Sequence, residues 1–159
     1  MKPRFDGAKA APGVYQAMLG LETYLHQSGL DLPLLHLIKV RASQINGCAY
    51  CIDMHWKEAR ALGETEQHLY GLDAWHESPY YTDRERAALA WTEAVTRIAD
   101  SHVPDEVYEQ VRPHFTEKEL ADLTLAVATI NAWNRLAIAS RVEPGKYQPA
   151  KVHGVKKTA

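Results

Sequence analysis

Two copies of one local signal constrain this chain more than any other feature. Thr82-Asp83-Arg84-Glu85 and Thr116-Glu117-Lys118-Glu119 both carry the capping-box pattern, in which a threonine and a glutamate three residues later satisfy two free N–H groups of a helix start. Each opens a long run of apolar residues at helical spacing. The first holds Ala87, Trp91, Ala94, Val95 and Ile98 and is expected to reach about Ala99. The second holds Leu120, Leu123, Val127, Ile130 and Leu136 and is expected to reach about Arg141. The rest of the chain is punctuated in the same way. Val14, Met18, Leu21 and Leu25 predict a helix from about Pro12 to Gln27, stopped by Ser28-Gly29. Pro33 suits a first helical turn, so a second helix starts near Asp31 and runs through Leu34, Leu35, Leu37, Ile38 and Val40 towards Asn46-Gly47. A third covers about Cys48 to Leu62, with Gly63 as its stop. Shorter helices are expected over Glu66–Leu72 and from Pro104 to Val111, where Pro113 follows. No segment alternates with a period of two. The expectation is an all-α chain, a single-domain helical bundle of about six to seven helices over residues 1–159. Residues 143–159, with four lysines, form an extended C-terminal tail, either solvated or packed as an arm on a neighbouring subunit.

Composition narrows the function. At 159 residues the chain has room for one ordinary domain, and its 46% hydrophobic and 24% charged residues are a normal globular mix. A net charge of −2 offers no electrostatic reason to bind nucleic acid or an anionic membrane. No apolar run is long enough to span a bilayer, and no apolar segment follows the charged start. A cytoplasmic location is therefore expected, and two cysteines in a reducing compartment are more often reactive or metal-binding than structural. Phosphate-binding and nucleophile-elbow glycine patterns are absent, which removes support for nucleotide binding and serine hydrolysis.

The chemistry concentrates in Ser43-Gln44-Ile45-Asn46-Gly47-Cys48-Ala49-Tyr50-Cys51-Ile52-Asp53-Met54-His55. Asn46-Gly47 is a turn, and the next helix begins at about Cys48. Offsets of three and four put Cys48, Cys51 and His55 on one helical stripe. The cysteines fall in the first turn, where free N–H groups and the helix dipole stabilise a thiolate, and a nearby imidazole adds to this. The result is a dithiol with a local base. Two other readings fit the same residues: buried cysteines beside a core histidine, or a zinc site, for which these three would need a remote fourth ligand. His36 adds a geometric point. If the helices flanking residue 46 form an antiparallel hairpin, position 36 lies opposite position 56, which brings His36 near His55 and Cys51. There it is a proton-relay partner or an ordinary polar residue.

The run Arg41–His55 resembles the AhpD-like alkyl hydroperoxidases of the carboxymuconolactone decarboxylase superfamily. Thr82–Leu89 and Asn131-Ala132-Trp133-Asn134-Arg135-Leu136 look like the same group, and the likeness extends over roughly residues 8 to 147. The resemblance implies an all-helical subunit assembling into trimers or hexamers. It also implies that Cys51 is the peroxidatic thiolate, Cys48 the resolving cysteine that forms a disulfide with it, and His55 part of the proton relay. The substrate is then a hydroperoxide and an external thiol or dithiol is the reductant, with no cofactor or metal. The family's relay usually includes a glutamate twelve residues before the first cysteine, and that position is His36 here. Either His36 takes its place or an acid on another helix does, with Glu93 and Glu85 as candidates. Rival functions are a non-catalytic redox or metal sensor built on the same dithiol, and lactone or small-acid chemistry, against which the retained cysteines argue. The remaining histidines, His26, His68, His76, His102, His114 and His153, read as surface residues, and the four tryptophans as core or interface.

Overall fold

The computed structural model describes residues 2–150. Helix α1 (Gly7–Ala10) is a single turn capped by the Asp6 carboxylate. It is followed by α2 (Pro12–Gln27), α3 (Leu32–Asn46), α4 (Ala49–Ala61) and α5 (Glu66–Tyr70), the last running on into a 3-10 turn, Gly71–Ala74. Then come α6 (Asp83–Thr96), α7 (Ile98–Ser101), α8 (Asp105–Val111) and α9 (Glu117–Ser140). All are helices, and no strand occurs among the described residues. Both capping boxes form as expected, at Thr82 with Glu85 and at Thr116 with Glu119. The helix expected to reach Ala99 stops at Thr96 and restarts as α7 after Arg97 leaves helical geometry.

Helix α3 is the axis of the fold. Every residue from Leu34 to Ser43 is buried, so this helix has no solvated face and packs against α4, α6 and α9. Leu34, Leu35 and Ile38 join Leu25, Trp91, Phe115, Leu123 and Val127 in the main core. Leu37 and Val40 point the other way, to Leu69, Leu72, Trp75 and Leu89. Each such leucine contributes on the order of 1.5–3 kcal/mol by leaving water. A helix buried on all sides cannot leave a charge unpaired, and α3 carries two. Lys39 Nζ lies 2.6 Å from Glu22 of α2, and Arg41 Nε lies 2.9 Å from Glu93 of α6.

The turn from α3 into α4 places the dithiol. Gly47 caps α3 with φ 68°, a left-handed conformation in which a Cβ would be strained. The N–H of Cys48 then donates to the Ser43 carbonyl at 2.9 Å. Asn46 donates to both Asn131 and Asn134 of α9, at 2.9 and 2.8 Å, and Asn134 donates to Ser43 at 3.0 Å. The two asparagines of the α9 motif thus fasten the turn that precedes Cys48.

The chain termini cross the same end of the bundle. The Arg4 N–H donates to the Ser140 carbonyl at 3.0 Å and its guanidinium to Ala139 at 3.1 Å. After α9 the chain doubles back along α4, where Lys57 donates to the carbonyls of Gly145 and Tyr147, and the Gly145 N–H donates to Asp53. The part of the tail within the described residues therefore packs on α4. His153, Lys151, Lys156 and Lys157 fall outside the described residues.

Candidate active site

Cys48 is the N-cap of α4, just outside the helix rather than in its first turn. Its sulfur accepts from the Cys51 N–H at 3.4 Å, so it does what a serine or aspartate does at a helix start. Cys51 is the third helical residue. The two are joined as a disulfide, with Cα atoms 5.4 Å apart, and both are nearly sealed from solvent.

One turn further on, His55 is also buried, and the antiparallel α3–α4 hairpin brings His36 to it. Their ring centroids are 5.6 Å apart at a tilt of 44°. The pairing inferred by counting across the turn is realised. Neither Nδ1 atom has a hydrogen-bond partner among the described residues. Burial first, then the positive charge of Lys39, then His26 push the His36 pKa down to about 4. Burial, Lys39 and His36, in that order, hold His55 well below its ordinary value. Both imidazoles are therefore neutral at pH 7 and free to accept a proton or a ligand donor.

Cys51, His55 and His36 line one cavity of about 730 Å³. Its other walls are largely apolar, with Leu19, Tyr15, Met54, Trp133, Ala137 and Val142, and the N-terminal segment around Phe5 to Ala8 crosses it. Tyr15 meets the Trp133 ring edge-on at 5.5 Å. Charged residues that the sequence reading passed over also line it, Lys39, Glu22 and Glu58 on the helices and Asp6 and Glu143 on the terminal segments. Trp133 Nε1 donates to Glu22 at 3.1 Å, on the carboxylate that Lys39 pairs. Glu58 accepts from the Tyr147 hydroxyl, and burial raises its pKa.

Glu93 and Glu85, proposed above as relay acids, lie elsewhere. Glu93 is held by Arg41 at 2.9 Å and Trp75 at 2.7 Å, on the opposite side of α3. Glu85 is consumed by its capping box, where it accepts from the Thr82 N–H at 2.8 Å. The carboxylates that share the cavity are Glu22 of α2 and Glu58 of α4, with Asp6 and Glu143 on the terminal segments. Glu58 was legible, since it sits three residues after His55 and seven after Cys51, on the same helical stripe. His26 is exposed, as the surface reading expects, and stands at the edge of the cavity. His68 departs from that reading: it is mostly buried, with Nδ1 2.5 Å from Glu64. Among the described residues no set of three His, Cys, Asp or Glu side chains is placed to hold a metal.

Known proteins resemble this chain to different degrees. The carboxymuconolactone decarboxylase family model matches residues 12–94. The uncharacterised Bacillus subtilis protein YdfG is 45% identical over 139 residues, covering 87% of this chain and 95% of its own. A crystal structure from Agrobacterium tumefaciens, of a protein of unknown function provisionally assigned to antioxidant defence as AhpD, superposes with a TM-score of 0.86. It is 46% identical and covers 94% of this chain and 99% of its own. The debrominase Bmp8 has the same fold at 19% identity and a TM-score of 0.72, over 87% of this chain and 74% of its own. No described helix is long and apolar enough to cross a membrane. With the helical architecture, the cavity and these relatives in view, the chain belongs to the carboxymuconolactone decarboxylase family, among its AhpD-like members.

Proposed function

We propose that this chain is a thiol-dependent peroxidase, a disulfide oxidoreductase that reduces an organic hydroperoxide at Cys51. The observation that carries the reading is the redox pair at a helix start, with Cys51, His55 and His36 on one mostly apolar cavity. In the reduced protein, His55 takes the Cys51 proton and the thiolate attacks the terminal peroxide oxygen. The O–O bond breaks, Cys51 becomes a sulfenic acid and the His55 proton goes to the departing alkoxide. The Cys48 thiol then displaces hydroxide from the sulfenic acid, which leaves as water with the Cys48 proton, and the disulfide forms. Two thiols and one hydroperoxide give one disulfide, one alcohol and one water. An external thiol or dithiol restores the pair.

Neutral imidazoles suit the proton-accepting step, and the new thiolate favours the imidazolium it leaves behind. His36, in the place of the family's relay glutamate, is the second imidazole through which that proton can pass. Exposed apolar residues on α2, among them Val14, Leu19 and Tyr24, support a homo-oligomer, trimer or hexamer, that covers them. Bmp8 shows that this fold also serves a different activity, so the test must read the peroxide step itself. Anaerobic titration before and after one equivalent of cumene hydroperoxide is expected to show loss of two thiols per chain. Cys51→Ser should abolish the loss and His36→Ala should slow it. Thiols that survive the peroxide would end the peroxidase reading in favour of a sensor.

A further inference from the structure

The two cysteines of the disulfide do not line the same space. Cys51 lines the large cavity and Cys48 does not. Cys48 lines a second, smaller groove of about 300 Å³, from which Cys51 is absent. Gly47, Ala49, Ile138, Arg141 and Pro144 belong to the groove alone, while Tyr50, Ala137, Val142 and Glu143 form the partition between the two spaces. The disulfide thus spans a wall.

Thiol–disulfide exchange requires the attacking thiolate behind the sulfur it attacks, in line with the bond that breaks. A nucleophile aimed at Cys48 must therefore arrive from the side away from Cys51. We infer that oxidant and reductant reach this bond from opposite sides, the hydroperoxide through the large cavity onto Cys51 and a slim, anionic external dithiol through the groove onto Cys48. This rests on the peroxidase reading for its oxidative half only.

The exchange balances as follows. One thiolate of the dithiol bonds to Cys48 and the S–S bond breaks. Cys51 leaves as a thiolate on the large-cavity side, stabilised at the start of α4. The dithiol's second thiol then closes its own disulfide, which releases Cys48, and the two protons of the dithiol end on the two cysteines. Attack on Cys48 makes Cys51 the leaving sulfur by geometry, because only the sulfur opposite the entering thiolate can depart. Cys51 is also delivered facing His55, ready for the next peroxide.

The groove specifies the kind of reductant. Cys48 is only 1% exposed at its floor, so a sulfur held on the surface of a folded protein cannot reach it, whereas a small or pendant dithiol fits a space of this size. Two charges edge the groove. Glu143 is held by Lys146 at 2.6 Å, while Arg141 has no carboxylate partner among the described residues. That leaves a positive charge facing the entrant.

The test separates the two half-reactions. The oxidised protein, prepared with diamide, is reduced by dithiothreitol, and the reduced protein is oxidised by cumene hydroperoxide, with each rate followed by tryptophan fluorescence or thiol release. Ile138→Trp fills the groove from an exposed helical position. It should slow dithiothreitol reduction by about tenfold while leaving peroxide oxidation within about twofold. Leu19→Trp, on the large cavity, should do the reverse. Arg141→Asn keeps a residue that tolerates the left-handed backbone at that position. It should slow reduction by the dianionic dithiol dimercaptosuccinate about threefold more than reduction by neutral dithiothreitol. An Ile138→Trp protein with unchanged reduction, or with both half-reactions slowed alike, would overturn the inference. So would equal effects of Arg141→Asn on the two dithiols. A protein inert to peroxide would sink the peroxidase reading but would still report on the groove through its reductive half-reaction.

Discussion

Two polar triads built from the same parts sit on opposite sides of α3. On one side Arg41 pairs with Glu93, and Trp75 donates to that carboxylate. On the other, Lys39 pairs with Glu22, and Trp133 donates to it. The first is closed: Arg41 also reaches Gln44 at 3.2 Å and Asp73 at 2.7 Å. Although burial alone would raise the Glu93 pKa, the Trp75 and Arg41 hydrogen bonds hold it below the usual carboxylate value. The second opens on the cavity, beside two imidazoles whose Nδ1 atoms have no partner among the described residues. Saturated, the triad fastens α6 and the Trp75 turn to α3. On the open side, the lysine of the matching triad adds to the burial that keeps two reactive imidazoles neutral.

Breaking the closed triad should have the largest effect. Arg41→Leu leaves the partly buried Glu93 with the Trp75 N–H as its remaining close donor, which costs about 3 kcal/mol, the low end for a broken buried pair. Urea midpoints would show it, and Arg41→Leu combined with Glu93→Leu should recover much of the loss because no orphan charge remains. A double variant as unstable as the single one would mean that shape, not charge, is what Arg41 supplies. The folded fraction should still react with peroxide at close to the normal rate, since this triad does not touch the cavity.

The open side should show itself through pH. With a pKa of about 4 in the fold against 6.5 for the free side chain, His36 takes up a proton in the unfolded chain before it does so in the folded one. Between those values the unfolded state binds more protons, so stability falls as pH falls. The loss from this residue reaches roughly 3 kcal/mol near pH 4. His55, also depressed, adds to it. Urea midpoints from pH 7 down to 4.5 should decline steeply in the wild type and less so in His36→Leu. Parallel curves would mean that His36 does not carry the acid sensitivity.

The sequence is most legible where structure is decided locally. Thr82 and Glu85, or Cys48, Gly47 and Cys51, reach one another within a single turn, so spacing alone predicts their geometry. Even His36 against His55 follows from a hairpin whose turn is marked by Asn46-Gly47. What spacing cannot supply is which helix faces which. Glu93 and Glu85 stand on a helix that borders α3, but on its closed side. Glu22 comes from α2 and Trp133 from α9, and the fold alone brings them together at Lys39. A signal was present nonetheless: a lysine set among Leu37, Ile38 and Val40 in the middle of a helix requires a carboxylate somewhere. Helix α1 was invisible for the opposite reason, because it buries no residue and so leaves no apolar period to read.

The finest test of the comparison is to remove one matching N–H from each triad. Trp75→Phe and Trp133→Phe each delete one indole donor and keep an aromatic ring, and in the second case the ring still meets Tyr15. Each should cost about 1 kcal/mol of stability, the net worth of one hydrogen bond, somewhat more where the acceptor is charged. The two should part in chemistry. Glu93 keeps Arg41 and is remote from the imidazoles, so Trp75→Phe should leave the peroxide rate unchanged. Glu22 keeps only Lys39 among these donors. A less well held Glu22 lets its negative charge and the positive charge of Lys39 shift beside His36 and His55, so Trp133→Phe should move the pH at which the peroxide rate falls off. Stopped-flow rates from pH 5 to 8 on the two variants would decide it. Identical profiles would mean that the open triad is as purely structural as the closed one.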